Sequence, residues 1–231
     1  MFFLHLFTEN YTKNMKQKHI ILLFISMTLI VFYLITNSWG EPESKLIKSK
    51  DKISIGKGFE SISGTLWENN TQDLSSSEIG FYIEGLKETK GYFEDFNVVL
   101  KVPKNKPENA KIKVSIKVSS INTDNSTRDK ALMDEEFFNE NKFPTIDFYS
   151  KEIIENDTNF TANGILHMMG KKHPLLLNFK YLGIAKNKLG IYVAIFEGLL
   201  NIDRTKFGML PVSSIGNDVQ IKFYCELIKK K

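Results

Sequence analysis

Two histidines, one cysteine, one Arg-Asp pair and one acidic run have types and spacings that could do chemistry. His167 and His173 flank Gly170-Lys171-Lys172 and could approach each other across a turn. A zinc site asks for three or four N, S or O ligands, and no third ligand accompanies them. They stand as weak metal or catalytic candidates, against a plain reading as surface histidines of a hairpin. Cys225 is the single cysteine, so no intramolecular disulfide and no multi-cysteine zinc motif can form. It alternates with Ile221, Phe223 and Leu227, the setting of a small buried apolar residue. Asp134, Glu135 and Glu136 are consecutive, so on a helix they fan around it and form a solvated face. There is no Gly-x-Ser-x-Gly elbow, phosphate-binding glycine loop or His-Glu-x-x-His, and no cofactor is expected. Arg128 and Asp129 carry two readings. In one, Asp129 caps a helix and Arg128 ties down a polar loop. In the other, Arg128 meets an anionic ligand head with its forked guanidinium.

These residues need elements to hold them. Lys111 to Val118 alternates, with Ile112, Val114, Ile116 and Val118 apolar, as a half-buried strand does. The polar run Asn122 to Thr127 favours a turn. Asp129 to Asn141 then reads as a short helix, with Ser126 and Asp129 at capping-box spacing. Phe143 before Pro144 is pushed to extended geometry and ends it. Further strands are predicted over Glu78 to Leu86, Gly91 to Val102, Thr145 to Ile154, Thr158 to His167, Leu175 to Leu182, Gly190 to Leu200 and Asp218 to Ile228. Lys52 to Asn70 has only weak strand character. Short strands at regular spacing predict an all-β sandwich or barrel.

The residues of the central stretch resemble a known family. Arg128, Asp129, Leu132, Phe137, Phe138, Phe143, Pro144, Ile146, Phe148 and Ser150 are similar to the signature of the YceI-like family of secreted bacterial proteins. Gly164-Ile165-Leu166, Gly170 and Pro174-Leu175 match its hairpin block, and Arg204 with Phe207-Gly208 matches its late block. The resemblance covers roughly residues 75 to 228. This chain departs from the family pattern at Ala131, His167, Met169 and His173. The resemblance implies an eight-stranded antiparallel lipocalin-like β-barrel with one short helix near a mouth. It also implies an exported binding protein that holds a polyisoprenoid or similar long-chain lipid, without catalysis.

Inward-facing candidates at alternate positions are Phe81, Ile112, Val114, Ile116, Phe148, Leu177, Phe179, Ile191, Val193, Ile195, Ile221 and Phe223. They either fill a dry core or line a tunnel, because both need the same residues. Parity is undecided in Gly190 to Leu200, where Tyr192, Ala194 and Phe196 are almost as apolar. A metal protein or enzyme using His167 and His173, and a ligand-free envelope stress or interaction protein, are the other functional classes.

Composition bounds the rest. With 42% hydrophobic and 25% charged residues in 231, the chain can bury a core. Lys13, Lys16, Lys18 and Glu9 precede Asn37, leaving 28 basic against 26 acidic residues, a balance of +2. That is too mild for a nucleic-acid partner. Ile20 to Ile35 is nearly all apolar and follows Lys16 and Lys18, as in an export signal or signal anchor that could associate with a membrane. The expected order is extra upstream residues 1–14 with translation starting at Met15, a signal or anchor over 15–40, a linker over 41–51 and a barrel over 52–231. That order places the barrel in the periplasm or outside the cell.

Overall fold

A computed structural model describes residues 58–69, 75–85, 88–156 and 159–230 of the chain. The expected start at Met15, the apolar run Ile20 to Ile35 and the linker 41–51 lie outside the described residues. Among the described residues no helix is long and apolar enough to cross a membrane.

One antiparallel sheet closes on itself. Its strands are β1 (Thr65–Glu68), β2 (Glu78–Gly85), β3 (Thr89–Phe93), β4 (Phe96–Val102), β5 (Lys111–Lys117), β6 (Ile121–Asn122), β7 (Thr145–Asn156), β8 (Asn159–Met168), β9 (Lys171–Lys186), β10 (Tyr192–Asp203) and β11 (Ile215–Lys229). The order β4-β5-β7-β8-β9-β10-β11 is closed at one end of the barrel by β1, which pairs with both β4 and β11. At the other end β2, β3 and β6 continue the ring from β11. Glu94-Asp95 separates β3 from β4, and a 3-10 turn over Val118–Ser120 separates β5 from β6. Each of those pairs is therefore one bent stave, and the barrel has eight staves around its axis. The predicted single strand Gly91 to Val102 is this bent stave. Closure pairs each long stave on both sides, whereas the unpaired edge of an open sheet would be a site of aggregation.

The β8–β9 hairpin turns through Met169 and Gly170, both at positive φ (50° and 71°), with Met168 paired to Lys171. That is the backbone of a two-residue turn whose twist suits the flanking strands. The turn sits one residue earlier than the predicted Gly170-Lys171-Lys172.

The helix differs from expectation. α1 spans Ser126–Met133, and Asn125 is its N-cap, accepting from the Arg128 backbone N–H. Asp129 is no cap. Its carboxylate accepts from the backbone N–H and the hydroxyl of Thr123, tying the helix back to the end of β6. The helix stops at Met133 instead of Asn141. Turns follow, with Asn139 at φ 50° and the Phe138 N–H donating to Leu132 C=O. An α-helix would splay Phe137 and Phe138 about 100° apart. The turn lets both face the barrel lumen.

Candidate functional site

A cavity of about 380 Å³ occupies the α1 end of the barrel. It falls in the range of small-molecule sites, which runs from about 300 to 1,000 Å³. Every strand except β1 contributes to its wall, alternate side chains pointing inward as period two requires. Of the predicted lining residues, Phe81, Ile112, Val114, Ile116, Phe148, Leu177, Phe179, Ile221 and Phe223 line it. Arg128, Ala131 and Leu132 of α1 sit three and four residues apart on one helix face and cover this end. Arg128 is half-buried and Ala131 exposed, which puts the mouth beside them. The departure from the family pattern at Ala131 therefore falls at the mouth.

Ile191, Val193 and Ile195 are corrected. Ile191 lies before β10, where its N–H donates to Asn187 Oδ1 in the connecting turn. Val193 and Ile195 face outward and pack with Leu182, Ala185, Tyr224 and Ile228 in a second apolar cluster. The inward residues of β10 are Ala194, Phe196, Leu200 and Ile202. Residues 193–196 are buried on both faces, so hydrophobic alternation there carries no information about side.

Three glycines explain how a lumen so rich in phenylalanine stays open. Gly91, Gly164 and Gly198 all face inward, and each lies under a cavity-lining ring. A Cβ on Gly91 would meet Phe81 Cζ at 2.5 Å, and one on Gly164 would meet the Phe148 ring at 2.5 Å. One on Gly198 would meet the Phe223 ring. The rings fold down onto bare backbone in the neighbouring strand instead of projecting across the lumen. This is the cross-strand pairing known as aromatic rescue of glycine.

The polar groups on the wall are few. The chain has only two arginines, Arg128 and Arg204, among 31 basic residues, and both line the cavity. Arg128 Nε donates to Thr123 Oγ1 at 2.8 Å and its Nη2 to Thr123 C=O at 2.7 Å. The loop-tying role is thus real, and the same side chain stands at the mouth. Arg204 is 2% exposed. It donates from Nε to Gly216 C=O and from Nη1 to Leu210 C=O, both at 2.9 Å. Burial lowers its pKa from the usual guanidinium value, and the neighbouring Asp203 opposes that shift. Asp203 itself turns outward and caps the 3-10 helix Arg204–Phe207 by accepting from Thr205. Cys225 also lines the cavity, and burial pushes its thiol up to about 12, which keeps it protonated and poorly nucleophilic at neutral pH.

The two histidines do not converge. His173 pairs with the cavity residue Leu166, so it lies on the inner side, edge-on to Phe207 with centroids 4.9 Å apart. His167 lies on the opposite face beside Tyr149, at 5.6 Å. Residues that point to opposite sides of a sheet cannot share a metal ion. Among the described residues no group of three or more His, Cys, Asp or Glu is placed to hold one.

Comparison with known proteins places this barrel. The YceI-like domain model matches residues 71–227. A UPF0312 protein of Photorhabdus laumondii is 33% identical over 121 residues, covering 52% of this chain and 63% of that protein, so under two thirds of the relative is spanned. The structure of the Campylobacter jejuni YCEI protein is 27% identical, covers 63% of this chain and 86% of that one, and superposes with a TM-score of 0.55. A polyisoprenoid binding domain from Saccharophagus degradans, implicated in plant cell wall breakdown, shares the fold. It is 12% identical, its TM-score is 0.54, and the match covers 72% of this chain and 99% of that domain. With residues 71–227 matched and those residues forming the closed barrel just described, the chain belongs to the YceI-like domain family.

Proposed function

We propose that this protein is a non-catalytic carrier that holds a polyisoprenoid or similar long-chain lipid in its barrel. The observation that carries the reading is the cavity: about 380 Å³ of lumen walled by apolar side chains, with Arg128 at the mouth. Each methylene buried there contributes about 0.8 kcal/mol gross. A handful therefore offsets the several kcal/mol, roughly 4 or more, lost on immobilising a ligand. The polyisoprenoid binding domain of Saccharophagus degradans supports the ligand class through the shared barrel. Arg128 keeps donor capacity beyond its two bonds to Thr123, so an anionic head can be met there. The placement of His167 and His173 on opposite faces gives a metal-dependent reading no support.

Native mass spectrometry after gentle purification tests the proposal. A lipid mass that leaves on unfolding is expected, and long-chain isoprenoids added to emptied protein should raise its melting temperature. Neither a lipid mass nor a thermal shift would sink the carrier reading. Arg128→Gln should weaken ligands with an anionic head and leave neutral ones unchanged. The same reading places the carrier outside the cytoplasm, on the strength of the apolar run Ile20 to Ile35 behind Lys16 and Lys18. A reporter active only after export, fused behind residues 15–50, should be active; an inactive fusion removes that part of the proposal.

A further inference from the structure

The lumen is divided along its length. The half toward α1 is hollow, and the half toward the opposite end is filled. Ile62, Trp67, Val102 and Ala162 pack there, none more than 4% exposed, and none of them lines the cavity.

The divider is a layer of aromatic rings. Phe179 and Phe196 form the inner end of the cavity, with centroids 6.2 Å apart. Behind them stands Phe59, which comes from no strand but from the 3-10 helix Gly58–Ile62 that enters the barrel end. Its ring lies on Phe160 at 4.5 Å and 2°. It is 6.3 Å from Phe179 and 6.5 Å from Phe196, so both cavity rings rest against it. Tyr181 closes the layer edge-on at 6.1 Å, and its hydroxyl lies 3.0 Å from Ser61 Oγ, which pins the inserted helix to β9. A loop residue buried to 5% exposure among four rings is a wedge. Without it, Phe179 and Phe196 have space behind them.

We infer that this aromatic floor sets the length of chain the cavity accepts, and that Phe59 is the residue that holds the floor up. The inference rests on the carrier reading above and specifies its ligand. A dry cavity of about 150 Å³ accepts benzene. On that scale about 380 Å³ takes roughly fifteen carbon atoms, or about three isoprene units. The favoured occupant is one apolar chain of that length, tail against Phe179 and Phe196, head at Arg128. A longer chain must leave its remainder outside the mouth, where it gains no burial.

The test uses the full chain, emptied of lipid, with farnesol, geranylgeraniol and solanesol as probes, read by thermal shift and by competition in native mass spectrometry. Wild type should bind farnesol, with little further gain for geranylgeraniol. Phe59→Leu, and independently Phe179→Leu, should deepen the cavity and shift preference toward geranylgeraniol by about tenfold, since each methylene that finds room adds roughly fourfold in affinity. Both variants keep an apolar side chain, and an unchanged circular dichroism spectrum establishes that they fold. Prenol binding with the same chain-length preference in wild type and both variants overturns the floor while the carrier reading stands. Binding of no prenol by wild type overturns both.

Discussion

Arg204→Met is expected to lower the unfolding free energy by about 3–5 kcal/mol. The reason is what Arg204 holds together. The chain after β10 runs through the 3-10 helix Arg204–Phe207 and an irregular stretch to the start of β11, where the register against β2 shifts between Ile215 and Val219. Arg204 donates to this stretch, reaching Leu210 and Gly216 at 2.9 Å each, with a weaker approach to Ile215 at 3.5 Å. A bond from a charged donor to a buried carbonyl contributes about 1.5–3 kcal/mol, and an orphaned carbonyl keeps its desolvation penalty. Met fills the volume and satisfies none of these acceptors. Arg204→Lys should recover only part of the loss, because an ammonium is a point charge and cannot fork to two carbonyls on different stretches of backbone. Urea unfolding followed by tyrosine and tryptophan fluorescence measures both variants. If Arg204→Met stays within about 1 kcal/mol of wild type, the surface-residue range, the segment is held by something other than this guanidinium. Because Met209 and Ile215 also face the cavity, a folded Arg204→Met should retain lipid poorly as well.

The barrel was legible in the sequence because most of its staves face water on one side. β5 and β8 alternate inward and outward, and period two then fixes both strand and parity. The sequence failed where a strand is buried on both faces. In β10 every residue from Val193 to Phe196 is buried, so the alternation that located Phe148 and Phe179 had nothing to work on. It failed again where helix and turn compete. The acidic run after Met133 suits a helix by propensity, but Phe137 and Phe138 both reach the lumen, and tertiary packing overrides propensity.

The cavity was less legible than its walls. Whether inward phenylalanines fill a barrel or line it depends on where their rings lie, and that depends on partners in other strands. Both outcomes occur in this one barrel, hollow toward α1 and filled toward Phe59. Phe59 gave no periodic signal, since it stands in a Gly- and Ser-rich stretch that forms a single 3-10 turn. Arg204 did leave a trace. In a chain that uses lysine for nearly every positive charge, two arginines mark two places where a fork was needed and a point charge would not serve. The family block around Arg204 marked its position without revealing that it is buried.

Gly91→Ala is expected to close the cavity from the wall inward, and the effect should reverse when the ring above it is removed. The new methyl would sit 2.5 Å from Phe81 Cζ and 2.8 Å from Cε1, well inside van der Waals contact. Its other near neighbour is the Asn122 carbonyl at 2.8 Å, on the β6 side. Backbone in a closed barrel yields little, whereas a ring can rotate about its side-chain bonds. The Phe81 ring therefore swings off the wall, and the space it can enter is the cavity it lines. Overpacking of this kind costs about 1–3 kcal/mol in stability, and the displaced ring occupies volume a lipid would fill. Gly91→Ala should thus fold with reduced stability and lose most of its lipid. Phe81→Leu alone should widen the cavity and retain lipid at modest cost. In the double variant the methyl has no ring to displace, so Gly91→Ala should cost at least about 0.5 kcal/mol less there than in wild type, the coupling that a double-mutant cycle detects between touching residues. Strictly additive stabilities, with lipid retention unchanged by Gly91→Ala, would mean that the glycine serves the backbone alone. An alanine tolerated with full lipid occupancy would also remove the explanation for why a lumen walled by so many phenylalanines stays open.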